Sequence, residues 1–140
     1  MTSRENSSLS SNLTQADALH LPFPPSLFHL VTATNVLFLL DDPAPALRAW
    51  TRVLASNGEI CLLNPSENLS ISAATHLADE RGLDGTARGS LLYWAQNAED
   101  HFHWTESETR GLLARAGLRL EESVLRVGPG FARFARARLY

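Results

Sequence analysis

Apolar and polar positions change their period several times along this chain, and each change marks an element. Phe28 to Leu40 is apolar and carries β-branched residues at Val31, Thr32, Thr34 and Val36, which predicts a strand buried on both faces, as in a parallel sheet. Asp42 is a fitting N-cap and Pro43 a fitting first helical residue. The helix they open places Leu47, Trp50 and Leu54 on one face, with Arg48 and Arg52 toward its C-terminal end and Asn57 and Gly58 as its stop. Glu59 to Leu63 is a second buried strand, so the unit reads strand, helix, strand, with the right-handed winding of an α/β protein.

Further along, Ile71, Ala74 and Ala78 recur at helical spacing over Ile71 to Arg81, with Gly82 as the stop. A short helix is expected from Ala87 to Asn97 around Leu91, Leu92 and Ala95. Thr105 to Glu108 forms a capping box that opens a helix through Leu112, Leu113 and Ala116 to Gly117. Leu118 to Arg126 and Phe131 to Leu139 then read as two strands around the turn Gly128, Pro129, Gly130. Upstream, Thr14 to Ala18 reads as the end of a short strand, and Leu21 to Pro25 as a loop that its prolines keep from being helical. Met1 to Asn12 is Ser- and Asn-rich with little to bury, and is expected to be a disordered or frayed start before a single domain over residues 13–140. No internal repeat is visible.

The composition fits one globular domain: 140 residues, 44% hydrophobic and 19% charged. The apolar runs are far shorter than the ~20 residues of a membrane-spanning helix, and no basic-then-apolar signal opens the sequence, so a cytoplasmic protein without membrane contact is expected. A single cysteine, Cys61, excludes a disulfide framework and reads as a small buried apolar group. Charge is uneven, since residues 110–140 hold seven arginines against Glu121 and Glu122, whereas the preceding residues hold five against thirteen carboxylates. These arginines are spread over a helix and two strands rather than clustered, which argues against a nucleic-acid partner.

The connection from Asn64 to Thr105 is long for a compact domain and carries Tyr93, Trp94, His101, His103 and Trp104, which marks it as a lid and a substrate-binding segment. The competing reading packs Tyr93 and Trp94 beneath the helices as satellite core. His101 and His103, with Glu99 nearby, lack a third convincing ligand and make no metal site. Either could serve an oxygen nucleophile as a general base.

Several stretches, in order and at matching spacing, carry a family resemblance: Gln15 Ala16 Asp17 Ala18 Leu19 His20 Leu21 Pro22 Phe23; Phe28 His29 Leu30 Val31; Asn35 Val36 Leu37; and Arg52 Val53 Leu54 Ala55 Ser56 Asn57 Gly58. Together with the closing stretch Trp104 to Gly117 and its two strands, they resemble class I S-adenosylmethionine-dependent methyltransferases. His29 stands where that family usually has Asp, and Ala55, Ser56 and Asn57 replace its Lys, Pro and first Gly. The family's first strand and glycine-rich loop should precede Asp17. Only sixteen residues do, where a βαβ unit takes ~30, and none of the eight glycines lies in a G-x-G-x-G turn after a strand.

The resemblance implies a partial Rossmann-like sheet, mostly parallel with an antiparallel C-terminal strand and helices on both faces, forming the C-terminal two-thirds of a methyltransferase domain. It implies S-adenosylmethionine (SAM) as cofactor, with Asp17 and Ala18 at the adenine and Asn35 and Val36 beside the methionine moiety. Tyr93, Trp94, His101 and His103 would then face a small-molecule methyl acceptor. Two readings stay open, a methyltransferase truncated at its N-terminus and a non-catalytic remnant acting as an interaction module. A dinucleotide oxidoreductase on a similar sheet lacks its own glycine fingerprint. In the family's strand order Phe28 to Thr34 is central, so without the first strand it becomes an apolar edge. That edge is expected to drive self-association, to recruit another chain's strand or to pair with Leu13 to Ala18.

Overall fold

The computed structural model describes residues 11–140; the expectation for the chain's first residues, Met1 to Ser10, lies outside it. The elements are β1 (Phe28–Thr34), a 3-10 turn (Leu37–Leu39), α1 (Pro43–Arg52), β2 (Leu54–Pro65), α2 (Ile71–Glu80), α3 (Gly85–Asp100), α4 (Glu106–Arg115), β3 (Leu118–Arg126) and β4 (Ala132–Leu139). The four strands form one sheet in the order β1-β2-β4-β3. β1 and β2 run parallel, with Leu30 opposite Glu59 and Thr34 opposite Leu63; β4 lies antiparallel between β2 and β3. The α/β architecture and the neighbouring parallel strands agree with the sequence pattern. None of the helices among the described residues is long and apolar enough to cross a membrane.

The alternation of the strands selects one face for the core. Ile60 and Leu62 of β2, Ala135 and Ala137 of β4, and Leu118 and Leu120 of β3 are buried there with Leu47 and Trp50 of α1 and Leu112 and Leu113 of α4. The other face carries Glu59, Cys61 and Leu63 beside Phe134, Arg136 and Arg138, all partly exposed or exposed. There Arg136 donates to Glu59 at 2.7 Å and to Glu122 at 3.2 Å, and Arg138 reaches Glu59 at 3.1 Å. The Arg136 hydrogen bond, against some desolvation, holds the Glu59 carboxyl below its usual range. Arg136 and Arg138 of β4 are thus paired with carboxylates within the sheet.

Local chemistry explains the helix ends. Asp42 accepts from the Ala44 N–H at 3.1 Å with Pro43 opening α1, and Ser70 caps α2 through the Ala73 N–H at 3.0 Å. The Thr105–Glu108 capping box is fully formed.

Four expectations need correction. Phe28 to Leu40 is not one doubly buried strand: β1 ends at Thr34, the chain turns at Asn35, and Leu37 and Phe38 are buried by the 3-10 turn instead. Within β1, Leu30 is 56% exposed, because it lies opposite Glu59 on the face turned away from the core. α1 stops at Arg52 rather than at Asn57 and Gly58, so Leu54 belongs to β2, and residues 55–58 bulge out between the pairs Phe28–Leu54 and Leu30–Glu59. Thr14 to Ala18 forms no strand; Asp17 and His20 make an isolated bridge within a turn. The helix expected over Ala87 to Asn97 is longer, Gly85–Asp100.

Candidate functional site

In an open α/β sheet, ligands meet the carboxyl ends of the parallel strands. Here those ends are Thr34 with Asn35 on β1 and Pro65 with Ser66 on β2. Three segments converge on the β1 side.

The first is the loop Asp17–Leu21. Asp17 accepts from the Leu19 N–H at 2.9 Å, closing a turn on its own backbone, and its other oxygen lies 3.3 Å from His20 Nδ1. These contacts, the backbone one foremost, hold its carboxyl below the usual aspartate range. Two residues of α1 anchor the loop: the Trp50 indole N–H donates to the Ala18 carbonyl at 2.9 Å, and Arg52 donates to the Leu21 carbonyl at 3.0 Å.

The second is the turn after β1. Asn35 holds φ at +56°, a left-handed conformation that asparagine tolerates better than most residues. Its backbone N–H donates to the Leu63 carbonyl at 2.8 Å, extending the β1–β2 ladder one step beyond the strand. Asn64, 7% exposed, accepts from the Phe38 N–H at 3.2 Å and fixes the 3-10 turn to the end of β2. The third is α3, whose Trp94 indole N–H donates to Asn35 Oδ1 at 3.1 Å.

A hollow of about 330 Å³ opens between the loop and β1, lined by Ala18, Leu21, Val31 to Thr34, Val36 and Trp50. Ala18 and Val36 therefore share one wall, Asp17 lies beside it, and Asn35 joins it to Trp94. The remaining expected residues are not gathered there. Tyr93, one step along α3 from Trp94, is 73% exposed, since adjacent helical residues face different ways. His101 is exposed at the end of α3, its Nδ1 3.1 Å from the Asn97 carbonyl. His103 lies in the segment that runs beside the end of β2, where the Trp104 N–H donates to the Pro65 carbonyl at 3.1 Å. Its Nδ1 is buried with no hydrogen-bond partner among the described residues.

Reading the sequence missed Trp50, Arg52 and Asn64. The sequence pattern puts Trp50 on an apolar helix face, where its indole N–H goes unnoticed. A polar Asn64 closing the apolar run Ile60 to Leu63 was the available signal for the third.

A family profile described as a methyltransferase domain matches residues 1–62. The fold matches mitomycin 7-O-methyltransferase at 22% identity, with 89% of this chain and 33% of that one covered and a TM-score of 0.60. Residues 1–62 are thus similar in sequence to methyltransferase domains, and the chain shares the fold of SAM-dependent methyltransferases. A SAM-dependent methyltransferase of Thermotoga maritima matches at 16% identity, covering 89% of this chain and 62% of that one, with a TM-score of 0.59. Another, of Aquifex aeolicus, matches at 14% identity over 92% of this chain and 55% of that one, also at 0.59. No curated protein matches by sequence. The chain spans between one third and about six-tenths of the length of these three solved structures.

Proposed function

We propose that the chain takes part in SAM-dependent methyl transfer to a small-molecule acceptor, in the cytoplasm. The observation that carries this reading is the Trp94–Asn35 hydrogen bond, which joins the segment expected at the acceptor to the turn expected at the donor. Bound SAM supplies an electrophilic methyl group on a sulfonium; the protein has to align it with the acceptor and keep water away.

The adenine end is proposed to lie in the hollow beside β1. The hollow is largely apolar, which suits a purine ring, and on this reading the Asp17 carboxylate, next in sequence to Ala18 of its wall, accepts from an exocyclic amino group. A hydrogen bond of that kind is worth ~1–2 kcal/mol. The ribose and carboxylate ends find no glycine-rich turn in these 140 residues. On this reading Trp94 shields the reacting centre, and proton transfer is no obligatory part of the displacement. The second reading, an interaction module, is favoured by one observation, the open apolar edge at β1.

Nuclear magnetic resonance of the 140-residue chain with SAM at millimolar concentration tests the proposal. Shifts confined to Asp17, Ala18, Asn35, Val36 and the Trp94 indole are expected, with affinity weaker than micromolar and weaker again in Asp17→Ala. Absence of any shift, or shifts scattered away from these residues, overturns it.

A further inference from the structure

The helical connection between β2 and α4 is tied to the body of the protein unevenly. At its start, Ser66 and Asn68 hydrogen-bond to the Gly130 carbonyl, and the Ile71 N–H donates to the Glu99 carboxylate, joining the first turn of α2 to the last turn of α3. Ala74 and Ala78 of α2, with Ala95 and Ala98 of α3, are fully buried. The bend between the helices is bridged by Arg88 of α3, which donates to Asp79 of α2 at 2.9 Å and to the Leu83 carbonyl at 3.4 Å, and is otherwise open. Gly82 and Gly85 hold φ of +64° and +55° with open space around them, and Asp84, at the N-cap of α3, makes no side-chain cap. Among the described residues, Trp94 to Asn35 is the one side-chain hydrogen bond between α3 and the segment from β1 through α1.

We propose that Asn35 and Trp94 form a latch that holds α3 across the carboxyl end of β1, with Asn35 as the positioning residue for the indole. The indole N–H is a donor only, so the side-chain carbonyl of Asn35 is its acceptor. The left-handed backbone turns the Asn35 side chain out of the β1 ladder toward α3, while its own N–H stays bound to Leu63. Released, the middle of α3 can move away from the carboxyl end of β1, while the Arg88 and Glu99 contacts keep its two ends on α2. That this motion gates a methyl-transfer site rests on the function proposed above; the latch itself does not.

Hydrogen exchange on the 140-residue chain without any ligand tests it. Trp94→Phe keeps the ring and removes the donor, and exchange of the α3 amides should rise about fivefold, the equivalent of one net hydrogen bond. Asn35→Gly keeps the left-handed turn, removes the acceptor and should have the same effect, and the double variant should be no worse than either single one. Asn35→Asp should restore slow exchange, because its carboxylate accepts the same N–H and aspartate tolerates the same backbone. Unchanged α3 exchange in Trp94→Phe, an equal rise across β2 and β4, or Asn35→Asp behaving like Asn35→Gly each overturns the latch. Failure of SAM to shift any resonance removes the function and leaves this result standing.

Discussion

The Trp50 indole N–H reaches the backbone carbonyl of Ala18 at 2.9 Å, so a core residue of α1 also fastens the loop that holds Asp17. Trp50→Phe keeps most of the buried ring and loses this bond. A loss of about 1 kcal/mol in urea unfolding is expected, with faster hydrogen exchange concentrated in residues 17–21. Equal acceleration throughout α1 and β2 would mean that Trp50 acts only through packing.

Gly58 lies in the bulge of β2, where a Cβ would stand 2.7 Å from Leu54 Cδ1 and 3.0 Å from the Phe28 carbonyl oxygen. Leu54 is 2% exposed and has little room to yield. Gly58→Ala is therefore expected to cost about 1–3 kcal/mol by overpacking the start of the β1–β2 pair. Denaturant unfolding checks this, with the midpoint falling and the slope unchanged.

Most of this architecture is written in short-range chemistry. The Asp42–Pro43 start, the Thr105–Glu108 box and the Gly128–Gly130 turn are local signals, and each element they bound appears where they put it. The failures are tertiary. Nothing local distinguishes a doubly buried strand over Phe28 to Leu40 from a short edge strand followed by a buried 3-10 turn, because that choice depends on Asn64 binding the Phe38 N–H from β2. The site is legible in the same measure. Asn35 and Trp94 were both singled out, but for separate roles, and their hydrogen bond spans 59 residues of sequence. Tyr93 lies on the outer side of α3 and His101 just past its end, and both are in solvent.

Arg133 of β4 is 7% exposed and donates to both oxygens of Glu67, at 2.8 and 3.1 Å, and to Ser123 Oγ at 2.7 Å. Burial pushes the Glu67 carboxyl up, but these bonds outweigh it and hold it below its ordinary range. A carboxyl depressed by folding stabilises above its unfolded pKa, and that contribution is lost as pH falls through the folded value. Stability should thus decline as pH drops below about 4. Glu67→Ala should flatten part of that decline and cost about 2–3 kcal/mol at neutral pH, by leaving a buried guanidinium short of a partner. Unfolding midpoints of both proteins across the acid range check the sign and the size.

β1 is the end strand of the described sheet, and between Leu30 and Leu40 it and the following turn carry neither a charge nor a proline. Leu30 is 56% exposed, Val36 38% and Leu39 44%. Edge strands are ordinarily blunted by lysine, by proline or by cover, and this chain contains no lysine at all. Leu13 to Ala18 forms no strand that would cover the edge. A second chain pairing there gains about 1 kcal/mol for each ladder hydrogen bond against an association cost of about 4 kcal/mol or more, so weak, concentration-dependent association is expected. Leu30→Lys places a charge on the exposed face of the edge and should abolish it while leaving the unfolding midpoint nearly unchanged. Sedimentation velocity over a range of concentrations decides: a parent chain that stays monomeric throughout, indistinguishable from Leu30→Lys, would show that the β1 edge protects itself by means other than a partner strand.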